Sequence, residues 1–173
     1  MKKFILLLLG GIFILAGNSP AQLKIGYVDS NSIMDNLPDA QDARQKLDAI
    51  IQDWQKELND LQNQWQTKYD DYQKRKLIMT DQTRSDTEAE LVKLEQQVTD
   101  YREKKFGTNG ELFQKQDELM KPVQNKIFNA IQDVAKEEDL DFVLDKSGSA
   151  PLLLYAKDQY DVTPKVMDKL KLK

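Results

Sequence analysis

Two residue types are missing altogether: the 173 residues include no cysteine and no histidine. Without cysteine there are no disulfides and no thiolate nucleophile. Without histidine there is no Ser-His triad and no His-ligated zinc site. Phosphate-cradling loops are absent as well. Neither G-x-x-x-x-G-K-[ST] nor G-x-G-x-x-G occurs, so nothing marks a nucleotide site. Positive charge is in short supply, with 25 basic against 29 acidic side chains. An acidic chain is a poor non-specific nucleic-acid binder, because phosphates need cations. What is left for an enzyme is carboxylate chemistry alone, and no pocket-forming composition accompanies it. The expectation is a non-enzyme without cofactor or metal.

Long apolar runs are confined to the N-terminus. Lys2 and Lys3 precede an apolar stretch from Phe4 to Ala16, and Ser19 and Ala21 stand at the −3 and −1 positions of a small-residue cleavage site. This pattern predicts a secretory signal peptide over residues 1–21, cleaved near Ala21. The run is too short for a comfortable membrane span. No cysteine near residue 17 offers a lipid attachment point. Cleavage would leave 173 − 21 = 152 residues, enough for one domain. It would remove two lysines and no acid, so the charge becomes 23 − 29 = −6.

The remaining chain opens with a short strand pattern at Ile25, Tyr27 and Val28. Asp29-Ser30-Asn31-Ser32 reads as a turn and helix start, and Pro38 with Asp39 and Asp42 marks a longer helix. Apolar residues then fall at Leu47, Ile51, Trp54, Leu58, Leu61 and Trp65, a 4-3-4-3-4 spacing. That is the seam of a coiled coil, too narrow to build a thick globular core. Thr80-Asp81-Gln82-Thr83 is turn-like, and Ser85 with Glu88 forms a capping-box pattern. Leu91, Leu94, Val98 and Tyr101 make a second seam, which resumes at Leu112, Leu119, Val123, Ile127, Ala130 and Val134.

Two bends compete, one near 79–83 and one near the glycines at 107–110. A bend near 81 gives arms of roughly 60 and 80 Å at 1.5 Å per residue. A bend near 108 leaves some 40 residues (roughly) of amphipathic helix unpartnered. Bending at both would give a three-helix bundle. The arm lengths favour one hairpin with its tip near Met79 to Thr83. Gly107 and Gly110 then become a weak point inside the returning arm, each costing about 1 kcal/mol against alanine. Pro122 predicts a kink near Glu118 to Lys121, where the arm enters the body.

At the C-terminal end, Phe142, Val143 and Leu144 read as a strand, Ser147 to Pro151 as a turn and Leu152 to Ala156 as a second strand. Thr163-Pro164 reads as an N-cap and first turn of a last helix. The expected fold is α+β, mostly helical. A long coiled-coil hairpin over 39–122 projects from a small β body formed by 22–38 and 123–173. Strands so few and short are marginal alone, and their edges are open. The body is therefore expected to be completed by further copies, through Ile25, Tyr27, Val28, Phe142, Val143, Leu144, Leu152 and Leu154. The competing arrangement is a monomer with the arms folded back over the sheet.

These residues resemble the Skp (OmpH-like) family of periplasmic chaperones. The likeness covers essentially the whole chain after residue 21. It is carried by "KIGYVDSNSIM", by "NAIQDVAKEEDLDFVLDKS", and by "LLYA" followed by "YDVTPKVMDKL", in which Asp161, Val162, Thr163, Val166 and Leu170 fit the family's ending. "FGTNGELF" and Pro122 look like the branch found in Bacteroidetes-type bacteria. The resemblance implies a homotrimer with a shared β-barrel body and three helical tentacles around a cavity. It implies a periplasmic, ATP-independent holdase whose partners are unfolded outer-membrane proteins. An outer-membrane assembly machine or a lipid surface is a further candidate partner. One departure is charge: this chain is acidic, whereas the best-studied members are basic.

A holdase needs many weak contacts rather than a catalytic group. Candidate contacts are the basic cluster Lys74, Arg75 and Lys76, the apolar run Leu77, Ile78 and Met79, and Arg84. Basic and flexible apolar residues together suit a promiscuous surface. The bland alternative is a solvated tip that only ends the seam. Trp54 and Trp65 are expected to pack between the arms. Asp29, Asp139, Asp141 and Asp145 are read as strand-end and turn acids rather than metal ligands. The rival reading of the whole is a structural coiled-coil adaptor or spacer of the cell envelope.

Overall fold

The computed structural model describes residues 23–147 and 153–172; the proposed signal peptide, the turn after Ser147 and Leu152 lie outside them. Strand β1 is Ile25–Val28 and helix α1 is Ser30–Asn36. Asp29 caps α1 by accepting from the backbone N–H of Ser32, as the Asp-Ser-Asn-Ser run anticipated. Helix α2 runs from Pro38 to Arg75, with proline in its first turn, where its missing N–H costs nothing. Helix α3 is Asp81–Phe106 and helix α4 is Glu111–Glu137. Strand β2 is Phe142–Asp145, a single 3-10 turn covers Asp158–Tyr160, and helix α5 is Thr163–Lys169.

The chain reverses between Arg75 and Asp81. Cross-arm pairs prove the antiparallel course. Tyr72 meets Glu88, Lys68 meets Glu90, Tyr101 meets Glu57, and Trp54 meets Phe106. The residue numbers in these pairs add to 160, 158, 158 and 160, a constant register. Lower down, Lys126 meets Asp39 and the pair adds to 165. The offset of about five residues is taken up at Gly107–Gly110. The glycines therefore interrupt the returning arm without reversing it. They end one helix and start another, a fuller break than a weak point within one helix.

The core sits at the base. Val28, Ile33, Leu37, Ala40, Ala43, Val123, Ile127, Ala130, Val134, Val162 and Val166 form one buried cluster drawn from β1, α1, the first turns of α2, the last half of α4, and α5. Pro122 lies where α4 enters this core, and the helix continues through it. Along the arm the seam is only half-covered: Leu47, Ile51, Trp54, Leu58, Leu61, Trp65, Leu94, Val98 and Tyr101 are all partly exposed, and only Leu91 is buried. Among the described residues, the two helices of the arm have no third element to close over their seam.

The sheet departs from expectation in one respect. β2 pairs with β1 in parallel, Ile25 opposite Phe142 and Val28 opposite Asp145. The expected hairpin between Phe142–Leu144 and Leu152–Ala156 is not present among the described residues: 153–157 are irregular. In its place Tyr27 bridges to Asp161. Two helix starts also differ. The first turn of α3 begins at Asp81 with Thr80 as cap, so Ser85 and Glu88 lie inside the helix. In α5, Thr163 is already helical. Its hydroxyl accepts from the N–H of Asp29, 2.9 Å away, Val162 stands at the cap position, and the Asp161 side chain accepts from the N–H of Thr163 at 2.8 Å.

Candidate functional site

Among the described residues, two surfaces stand out as unpartnered. The first is the tip. Lys74 and Arg75 end α2, where cations complement the helix dipole. Arg75 also pairs with Asp71 at 3.3 Å. The chain then turns through Lys76, Leu77 and Ile78, whose N–H bonds back to Arg75 O at 3.0 Å. Leu77 is 91% exposed and Ile78 84%. Met79 is half-buried, as is Arg84, which reaches Asp81 at 3.4 Å. The turn is held by Thr80, whose hydroxyl accepts from the N–H of Thr83 and whose carbonyl accepts from that of Arg84 at 2.9 Å. All seven predicted tip residues thus lie together within one turn and its flanks. The apolar pair covers nothing, which counts against Leu77 and Ile78 merely ending the seam.

The second surface is the open side of the sheet. Ile25, Phe142 and Leu144 are exposed there, as are Leu23 and Tyr160 beside them. Leu23, Ile25, Gly26, Tyr27, Leu144, Leu153, Ala156 and Tyr160 line a shallow apolar hollow of about 260 Å³. Of the residues assigned to the body, Val28 joins the buried core and Val143 packs half-buried against it, while Tyr27 is buried on the side of the hollow that it helps to line. Leu154 is 89% exposed. A two-stranded sheet with one apolar face uncovered is an incomplete element.

The acids singled out in the sequence all have structural partners. Asp139 pairs with Lys24 at 2.6 Å, and the hydrogen bond and charge of that ammonium hold its carboxyl below the usual range. Asp141 accepts from the Lys24 backbone N–H at 2.7 Å. Asp145 accepts from the hydroxyls of Ser30 and Ser147, at 2.5 and 2.7 Å, and from both backbone N–H groups. Partial burial pushes Asp145 up, but these four bonds outweigh it and its pKa is lowered. Ser30 and Ser147 thereby tie the end of β2 to the start of α1.

A third cluster was not foreseen as a unit. It lies at the break in the returning arm. The Lys105 ammonium sits 4.4 Å from the centre of the Trp54 ring and pairs with Glu111 across the break. Phe106 packs edge-on to Trp54 at 6.1 Å. Lys104 also reaches Glu111, at 3.5 Å. The hydrogen bond from Lys105 is the main reason that Glu111's pKa is lowered. The expectation that Trp54 and Trp65 serve the seam agrees with this packing. Trp65 stacks on Tyr69, one turn along its own helix, at 5.0 Å, and borders a groove with Val98 and Arg102 of the other arm. The only sequence signal for Lys105 was its place four residues after Tyr101 in the seam spacing.

A thin arm, a bare apolar tip and an uncovered sheet can be compared with known proteins. No curated protein matches this chain. Among solved structures, one described as a candidate outer membrane chaperone (OmpH-like) from Caulobacter crescentus CB15 superposes with a TM-score of 0.71. It is 15% identical, and the match covers 91% of this chain and 89% of that one. At that identity the likeness establishes the fold. The family model described as Outer membrane protein (OmpH-like) matches residues 24–170, most of the chain, which therefore belongs to the OmpH-like family.

Proposed function

We propose that this protein is an ATP-independent holdase of the periplasm, which keeps unfolded outer-membrane proteins from aggregating. Its protomers join as a homotrimer through the open sheet face, and three arms enclose the client. The observation that carries this reading is the exposed pair Leu77–Ile78, set among cations at the end of an arm about 57 Å long. Such a surface binds weakly and without fixed partners. Three arms acting together supply the avidity that one contact lacks. Holding the unfolded state lowers the free concentration of aggregating chains by mass action. Family membership supports the chaperone role, and the neighbour's description as an outer membrane chaperone points the same way.

The test uses a urea-denatured outer-membrane β-barrel protein diluted into buffer while light scattering is followed. The expected result is suppression near one trimer per client, weakened when Leu77 and Ile78 are both changed to serine. Unsuppressed scattering, together with tight binding to a single folded envelope protein, would instead make the arm a spacer.

A further inference from the structure

Asn109 and Gly110 form the sole Asn-Gly pair in the sequence. They lie in the break between α3 and α4, outside any helix, and Asn109 is exposed. Gly110 is there for space. A Cβ on it would come within 2.9 Å of Gly107 N and Lys105 O. The tight break thus demands glycine at 110, and glycine is the residue that leaves a preceding asparagine most open to attack. We propose that Asn109 is a site of spontaneous deamidation, governed by the opening of the arm's break.

The chemistry needs only the chain and water. The Gly110 backbone nitrogen, on losing its proton to solvent base, attacks Cγ of Asn109. The new N–C bond closes a five-membered succinimide, and the side-chain nitrogen leaves as ammonia. Water then opens the ring at either carbonyl, giving aspartate or isoaspartate. In the closed break this nitrogen is occupied: Gly110 is buried, and its N–H donates to Gly107 O at 2.8 Å. Attack therefore requires the loop to open locally. Lys105 holds it shut, pairing with Glu111 beyond the break and resting on Trp54 of the opposite arm. The product carries one more negative charge. It enters a loop lined by Glu103, Lys104 and Glu111, in which both Lys104 and Lys105 are already paired with Glu111. Deamidation is thus a one-way loosening of the arm at its weakest point.

The experiment incubates the purified full-length protein at mildly alkaline pH and follows conversion of each asparagine by peptide mass spectrometry. Asn59, Asn63 and Asn125, inside helices, serve as internal references. Lys105→Met and Glu111→Gln are run in parallel, with circular dichroism confirming that they fold. The expected result is that Asn109 converts fastest in every sample, and about two- to fivefold faster in both variants, as loss of an ion pair or cation–π contact predicts. Incubation in urea should raise the rate at Asn109 further, because no break remains to protect it. Conversion at Asn109 no faster than at the helical asparagines would overturn the proposal. So would a native rate equal to that in urea, or rates unchanged in both variants.

Discussion

At the base, β1, α1, α5 and the ends of α2 and α4 converge, and Ile33, Leu37 and Val166 are almost wholly out of water. Along the arm, two helices share a seam in which nearly every apolar residue is still partly wet. The sequences of the two regions carry this difference. The arm spaces its apolar residues three and four apart with polar residues between them, while the second half of α4 adds Val123, Ile127, Ala130 and Val134 as a face that meets several elements at once. The arm is held by registry and surface pairs, the base by burial. Long reach is compatible with the first, and independent stability comes from the second.

The largest expected effect lies at the base. Ile33→Ala removes a fully buried side chain and should cost about 2–5 kcal/mol, lowering the midpoint of chemical unfolding for the whole chain. Leu58→Ala, at a half-wet seam position, should cost about 1 kcal/mol, because less of the side chain leaves water on folding. Equal losses at the two sites would break the contrast between base and arm. Thr80→Ala deletes the cap of α3 and should cost roughly 1 kcal/mol. Its effect should appear as faster amide exchange at the tip rather than at the base. The smallest effect is electrostatic. Asp145 has a pKa below its ordinary value of 3.8 when folded, so its contribution is present above that value and is lost as pH falls through the lowered one. Asp145→Asn should lower the base's stability slightly at neutral pH and flatten its acid limb, the gap to the native protein closing as pH falls. A steeper acid limb in that variant would contradict the hydrogen bonds assigned to Ser30 and Ser147.

Regular spacing made the arm legible. The arm lengths put the tip near Met79 to Thr83, a few residues beyond the start of the observed reversal between Arg75 and Asp81, and the apolar runs at each end placed β1 and β2. Three features escaped because they depend on partners distant in sequence. The register offset at Gly107–Gly110 follows from the length of the opposite arm. Parallel pairing of β1 and β2 follows from the hairpin bringing the chain back to its start, which no local pattern encodes. Thr-Pro is a common helix opening and points to Thr163 as a cap, but its hydroxyl is used by Asp29, 134 positions earlier. Of the candidate tip, residue types were readable and exposure was not. Leu77-Ile78-Met79 could have been seam or surface, and it divides, with Met79 half-buried and the other two bare.

The central claim is that the base is finished only by sister chains, since among the described residues its sheet has two strands and an uncovered apolar face. Light scattering coupled to size-exclusion chromatography measures this directly. The account predicts a molar mass three times that of the protomer, falling when Phe142 and Leu144 are changed to serine. A single-protomer mass, with full cooperative unfolding and no loss on those changes, would contradict it.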